Sequence, residues 1–347
     1  MNARLFALLL LALAPITARA ADYSWLGAAA PEFALPKPDT PILFPQDHAA
    51  HPAFRTEWWY LTANLTGDDG QAYGAQWTLF RYALEARDGA GWDSRTAWMG
   101  HAALTSATEH VFAQSMARGG VGQAGVDNAP FHAFIDDWFF DARDADFSTG
   151  ALHARGPRFA YTLTLTRHGP FVLQGDKGYS RKAGEGQASH YYSQPFFTAD
   201  GTLTLDGKDI HVTGRAWMDR EWSSQTMAPD QKGWDWFSLH LASGDHVMLF
   251  RQRGAHDYRS GNWIAPDGGV TQLAGDDIVV EPLAQTIIDE RNLPTRWRVQ
   301  VKSRSLDIET APLNPKSWMG TSFPYWEGPI TLSGSTTGAG YLEMTGY

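Results

Sequence analysis

Between Arg215 and Trp222 the chain packs two carboxylates, two arginines and two tryptophans into eight residues, Arg215-Ala216-Trp217-Met218-Asp219-Arg220-Glu221-Trp222. If this stretch is a strand, Arg215, Trp217, Asp219 and Glu221 project to one side, and Met218, Arg220 and Trp222 to the other. A carboxyl beside tryptophans is a candidate acid-base group. Burial raises its pKa and a nearby arginine lowers it, so Asp219 is either a proton donor or half of a structural ion pair.

A second acid opens Glu57-Trp58-Trp59-Tyr60-Leu61, and the same acid-Trp-aromatic-x-Leu pattern returns as Asp235-Trp236-Phe237-Ser238-Leu239. Each copy is followed by Leu-Phe-Arg, at 79–81 after 22 residues and at 249–251 after 14. This reads as a duplicated β-unit with a longer hairpin loop, Thr66 to Gln71, in the first copy. Glu57 shares a face with Trp59, Leu61, Ala63 and Leu65. A buried carboxylate needs a partner, and Arg55, Arg81 and Arg215 are the candidates. Glu57 is thus either a catalytic partner of Asp219 or a structural pair, and Asp235 reads as structural.

The side chains expected to line a ligand site are Trp58, Trp59, Tyr191, Tyr192, Trp217, Glu221 and Trp222. Tyr191 and Tyr192 lie in His190-Tyr191-Tyr192-Ser193-Gln194-Pro195, read as the polar-aromatic end of a strand. His48 and His51 have ligand spacing but no third ligand nearby, so no metal site is expected, and no cofactor. The nucleophile-elbow, P-loop, dinucleotide-binding and H-E-x-x-H motifs do not occur.

These residues need a scaffold of strands. From Glu57 onward the pattern is mostly period two, broken by Gly and Asp-Gly turns such as Gly67-Asp68-Asp69-Gly70. Short helices are expected only at His110 to Met116 and Pro130 to Phe134. An all-β fold follows, as barrels or sandwiches. At 347 residues two domains are expected. The expected division is a signal peptide at 1–20, a Pro-rich arm at 21–52, and domains at 53–224 and 225–347. The Gln174–Gln187 stretch is expected to be a mobile loop near a site mouth.

Arg4, the apolar run Leu5 to Leu13 and Ala18-Arg19-Ala20 have the form of a secretory leader, so a periplasmic or secreted address is expected. The chain has no cysteine, which excludes disulfides and thiol chemistry. A net charge of −10 argues against nucleic acid as a partner. Aromatic residues, 13% of the chain, suit a large apolar pocket and a hydrophobic small molecule or lipid.

Several stretches resemble the AttH-like proteins, relatives of the carotenoid 1,2-hydratases (hydroxyneurosporene synthases). They are His51-Pro52-Ala53-Phe54-Arg55-Thr56-Glu57-Trp58-Trp59-Tyr60, Tyr191-Tyr192-Ser193-Gln194-Pro195, Trp217 to Trp222, Tyr325-Trp326-Glu327-Gly328 and Gly340 to Tyr347. The resemblance covers nearly the whole chain after the leader. It implies two lipocalin-like (calycin-type) β-barrel domains, and a hydratase or a secreted hydrolase. In the hydratase branch an Asp in a His-Asp-His-type motif protonates an isoprenoid alkene. Asp219 matches that Asp, with Met218 and Arg220 where the histidines would be. The resemblance also admits a non-catalytic lipid carrier or chaperone associated with ABC-type exporter components.

Overall fold

A computed structural model describes residues 32–347, apart from positions 88, 185, 226 and 229. The expected leader, the start of the Pro-rich arm and two positions of the stretch between the expected domains lie outside the described residues.

The chain folds into two antiparallel sheets. The first contains β1 (Thr56–Gly67), β2 (Ala72–Ala83), β3 (Thr96–Ser106), β4 (His110–Arg118), β5 (Ala124–Asn128), β6 (Phe131–Ile135), β7 (Trp138–Ala142), β8 (Thr149–Arg155), β9 (Phe159–Arg167), β10 (Val172–Leu173), β11 (Tyr179–Arg181), β12 (Ala188–Leu205) and β13 (Lys208–Ser223). The second contains β14 (Gly233–Leu241), β15 (His246–Arg253), β16 (Tyr258–Ile264), β17 (Val270–Leu273), β18 (Ile278–Ile288), β19 (Arg291–Val301), β20 (Leu306–Pro312), β21 (Trp318–Met319), β22 (Tyr325–Gly334) and β23 (Gly338–Thr345). The first runs β4-β3-β2-β1-β13-β12-β9-β8-β7-β6-β5 and curls into a nearly closed barrel. The second, β17-β16-β15-β14-β23-β22-β20-β19-β18, forms a half-barrel. Among the described residues there is no α-helix, only short 3-10 turns.

The helices expected at His110 to Met116 and Pro130 to Phe134 are β4 and β6 instead. In β6, Phe131, Ala133 and Ile135 are buried in alternation, which is a strand period. In β4, buried Val111 and Ala117 share one face, while exposed Phe112 and Met116 share the other. Ala, Gln and Met favour helices in isolation, but pairing with β3 overrides that preference. The strand expected to end near Pro195 continues to Leu205, with a register shift at Gln194/Phe197 around the proline, which has no N–H to give the ladder.

The sequence repeat reappears as register. Arg81 lies directly opposite Glu57, and Arg251 directly opposite Asp235. Trp58 pairs with Phe80, and Trp236 with Phe250. Odd positions of β1 (Trp59, Leu61, Ala63, Leu65) enter the first core, with Trp77, Phe140 and Tyr161. Phe237, Leu239, Trp297 and Leu342 build the second. Each large side chain buried this way contributes roughly 1.5–3 kcal/mol.

A third cluster lies between the two sheets and includes Tyr60, Tyr191, Trp217, Trp236, Phe250 and Tyr341. The sheets approach closely there. A Cβ on Gly74 would meet the Tyr341 hydroxyl at 2.5 Å and Pro329 at 2.6 Å, so only glycine fits. Asn64 Nδ2 donates across the seam to the Gly340 carbonyl at 2.9 Å.

Candidate functional site

The space left between the sheets is a cleft of about 310 Å³. From the first sheet it is lined by Trp58, Tyr60, Phe80, Tyr191, Asp219 and Glu221. From the second come Trp234, Trp236, Phe250, Tyr325 and Glu343. The paired aromatics of both repeat copies therefore share one cleft. The volume is at the small end of the range for small-molecule sites, and the lining is apolar with a few polar groups.

Strand register assembles the surroundings of Asp219. On β13 it lies opposite Tyr60 of β1 and Ser193 of β12, and Tyr191 lies opposite Glu221. Side chains two residues apart share a face, so Trp217, Asp219 and Glu221 point the same way. Asp219 Oδ1 accepts from Ser193 Oγ at 2.5 Å and from Trp217 Nε1 at 2.6 Å. Its Oδ2 accepts from the Tyr191 hydroxyl at 2.6 Å, and that hydroxyl accepts from Trp236 Nε1 at 3.2 Å. These donors are all neutral. Burial pushes the Asp219 carboxyl up, the Ser193, Tyr191 and Trp217 donors pull it partly back, and Glu221 pushes again, leaving it at about 7. Glu221 itself is ion-paired with Lys182 at 2.8 Å, and the lysine lies over the rings of Tyr191 and Phe250.

Glu57 borders the cleft, but its carboxylate belongs to the opposite face. It lies across from Trp222 on β13 and beside Arg220, both of which point into the first barrel. Arg81 reaches it at 3.0 Å, His51 at 3.2 Å, and Arg220 also holds it. The His51 backbone N–H donates to both carboxylate oxygens. Burial would raise Glu57, but Arg220, His51 and Arg81 outweigh it and hold the carboxyl at about 2. Arg220 also stacks on Trp59, 3.8 Å from its centroid, and His51 lies flat on Trp222 at 4.0 Å. Arg81 was among the arginines proposed from sequence; Arg220 was not.

The alternation thus divides the expected site residues. Asp219, Glu221, Trp58, Trp217 and Tyr191 face the seam between the sheets. Glu57, Trp59, Tyr192 and Trp222 face the first barrel's interior. Tyr192 accepts no cleft role there; its hydroxyl meets His48 Nδ1 at 2.6 Å among the rings of Phe44 and Phe171. His48 and His51 are taken up by Tyr192 and by Glu57, and among the described residues no group of three or more His, Asp or Glu is placed to hold a metal ion. Asp235 accepts from the Tyr347 hydroxyl at 2.8 Å and faces Arg251 and Arg253, each at 3.4 Å. Lys182 and Gln187, from the stretch expected near a site mouth, do line the cleft.

Sequence reading missed the second sheet's acids. Glu343 and Glu327 lie directly opposite one another on β23 and β22. Glu343 Oε1 accepts from Trp234 Nε1 at 2.6 Å; burial is the main cause that carries its carboxyl to about 7. Glu327 is bonded by the Tyr60 hydroxyl, and burial followed by the charge of Glu343 drives its carboxyl well above the usual range. Both residues stand in the motifs Tyr325-Trp326-Glu327-Gly328 and Gly340 to Tyr347, which was the available signal.

The family model of the AttH-like proteins matches residues 35–347. The crystal structure of an AttH protein from Nitrosomonas europaea is similar, with a TM-score of 0.81 and 33% identity over 91% of this chain and 100% of that one. Kievitone hydratase from Nectria haematococca shares the fold, with a TM-score of 0.67 and 13% identity over 90% of this chain and 98% of that one. No curated protein sequence matches.

Proposed function

The chain belongs to the AttH-like family, and from that premise we propose that it binds an uncharged isoprenoid- or lipid-like molecule in the cleft between its barrels and hydrates a carbon–carbon double bond, with Asp219 as general acid. The observation that carries this reading is a cleft-lining carboxyl, buried and bonded only by neutral donors. Burial keeps the proton on Asp219 near neutral pH. When the proton leaves, three N–H and O–H donors are already aimed at the carboxylate that forms, without reorganisation. Protonation of a trisubstituted alkene places positive charge on the more substituted carbon. The faces of Trp58 and Trp236 at the cleft wall can stabilise it before water adds. A hydratase among the proteins of this fold is consistent with such chemistry.

A carrier role would explain the apolar lining but gives no purpose to a carboxyl buried among three neutral donors without a countercharge. We favour the enzyme for that reason. Hydration is preferred over hydrolysis because the cleft carboxyl suits proton donation and no nucleophile motif occurs in the sequence. Export is part of the same proposal and rests on Arg4, Leu5 to Leu13 and Ala18-Arg19-Ala20.

The experiment is incubation with farnesol, an uncharged trisubstituted alkene, in ¹⁸O-labelled water. Labelled tertiary alcohol is expected from the wild type and not from Asp219→Asn, while tryptophan quenching shows that both bind. Equal labelling by the two proteins would end the assignment of Asp219.

A further inference from the structure

We propose that Glu343 is the second reacting carboxyl of the cleft and takes the proton from the water that adds. This rests on the reading of the cleft as a hydration site.

An acid alone leaves the incoming water without a base. Of the three other acids at the cleft, Glu57 turns its carboxylate to Arg81 and Arg220, which leaves Glu221 and Glu343. Glu221 is engaged by Lys182 at 2.8 Å, which fixes it as half of an ion pair. Glu343 has a single neutral donor, Trp234 Nε1. It stands on the second barrel, so it and Asp219 approach the cleft from opposite walls. Trp236 lies directly opposite Glu343 on the neighbouring strand and bonds the Tyr191 hydroxyl that holds Asp219. The charge of Asp219 is felt at Glu343.

The neighbour behind it explains why Glu343 can ionise. Facing it are Trp234 and Trp236 from β14, Glu327 and Tyr325 from β22, Tyr60 from β1, and Asp219 with the Glu221–Lys182 pair from β13 and its surroundings. Two carboxyls in register share an environment, and one keeps its proton more firmly than the other. Glu327 is the one that keeps it, walled in by Tyr60 and Tyr325. Glu343 is left to titrate near neutrality.

The step balances. The π pair of the alkene forms a C–H bond to the less substituted carbon using the Asp219 proton, and the Asp219 O–H bond breaks. A lone pair of water forms the C–O bond at the cationic carbon. The water O–H bond breaks and its proton goes to the Glu343 carboxylate. One molecule of water is consumed, and a proton passing from Glu343 to Asp219 restores the starting state. A substrate with a carboxylate or phosphate near the reacting bond would meet Asp219, Glu221 and Glu343, so the substrate is uncharged there.

The test has one arm without substrate. In protein labelled with ¹³C at Asp and Glu carboxyls, Asp219→Asn should lower the Glu343 titration midpoint, through loss of a like charge. An unmoved midpoint overturns the inference whatever the kinetics show. The second arm uses farnesol in ¹⁸O-labelled water. Glu343→Gln keeps an oxygen for Trp234 and should lose about 10²–10⁴-fold in turnover with little change in KM. The bell-shaped pH dependence should become one-limbed. Trp234→Phe removes the donor that favours the carboxylate, so the rising limb should move to higher pH. If Asp219→Asn is inactive while Glu343→Gln keeps the bell and the rate, the inference falls and the site reading stands. If the wild type incorporates no label, both fall together.

Discussion

Glu57 and Asp219 lie on adjacent strands of one sheet, both shut off from solvent, yet their carboxyls stand at about 2 and about 7. Burial pushes both in the same direction. Their company separates them. Glu57 looks into the first barrel at Arg220, Arg81 and His51, whereas Asp219 looks into the cleft at Ser193, Tyr191 and Trp217. Arg220 is next to Asp219 in sequence, and strand alternation turns it away from that carboxyl and onto Glu57. One face of the sheet holds a carboxylate for stability. The other holds a carboxyl that burial raises to about 7.

The sharpest way to break this contrast is Arg220→Met. It leaves Glu57 buried with only Arg81 and His51, and a buried charge that loses a partner typically costs about 3–5 kcal/mol. Urea unfolding at pH 7 should show a loss of that order, together with a rise in the Glu57 midpoint. A loss under about 1 kcal/mol would mean that the cluster is not the framework described.

Asp219→Asn should act with the opposite sign and a smaller size. Glu57 holds its proton less firmly when folded, at about 2 against a usual 4.5. Its contribution is present above pH 4.5 and is lost as the pH falls through about 2. Asp219 holds its proton more firmly, at about 7 against 3.8, so its contribution is present below 3.8 and is lost as the pH rises through about 7. Asparagine cannot ionise. Relative to wild type, the stability of Asp219→Asn should therefore climb by roughly 2–4 kcal/mol between pH 4 and pH 8. Unfolding curves for the two proteins that stay parallel across this range would show that Asp219 is no more strained than a surface carboxylate. Catalysis should follow the same proton, so wild-type kcat/KM should fall above about pH 7.

Much of this was readable from the chain. Period-two patterning around Glu57 and Arg215 to Trp222 placed Asp219 with Glu221 and Trp217, and Arg220 with Trp222, as the structure has them. Arg81 is one of three arginines that the sequence offers for Glu57, and the structure places the arginine of each Leu-Phe-Arg opposite its repeat's acid, a pairing the repeat itself does not announce. What alternation cannot tell is which face meets what. The outer face of a barrel strand reads as aromatic whether it covers a core or another barrel, so Glu57 and Asp219 looked like partners although they look in opposite directions. Glu343 and Glu327 were passed over for a related reason. Their pairing depends on the register of the β22–β23 hairpin, and Tyr60, which bonds Glu327, is 267 residues away. At β4 the local residues Ala113, Gln114 and Met116 carry a helical preference, and pairing with β3, which a single sequence does not display, decides the outcome.

The smallest change that still sharpens the contrast is Ser193→Ala. Ser193 lies opposite Asp219 and donates to its Oδ1 at 2.5 Å, while its own oxygen accepts from Gln174 Nε2 at 2.8 Å. Removing the hydroxyl deletes one donor to the carboxylate and leaves Trp217 and Tyr191 in place. The charged form loses more than the neutral form, so the Asp219 midpoint should rise by about 0.5–1 unit. The falling limb of the pH–rate profile should move up by the same amount, because the acid stays protonated to higher pH. The rate on the plateau should drop, since the carboxylate that forms in the step has lost a preorganised donor. Stability at pH 7 should fall by only about 1 kcal/mol, the usual scale for one buried hydrogen bond. A limb moving to lower pH would require Ser193 to act chiefly as an acceptor from a protonated Asp219. In that arrangement the three donors would not be waiting for the carboxylate, and the separation of the two acids would rest on burial rather than on the company they keep.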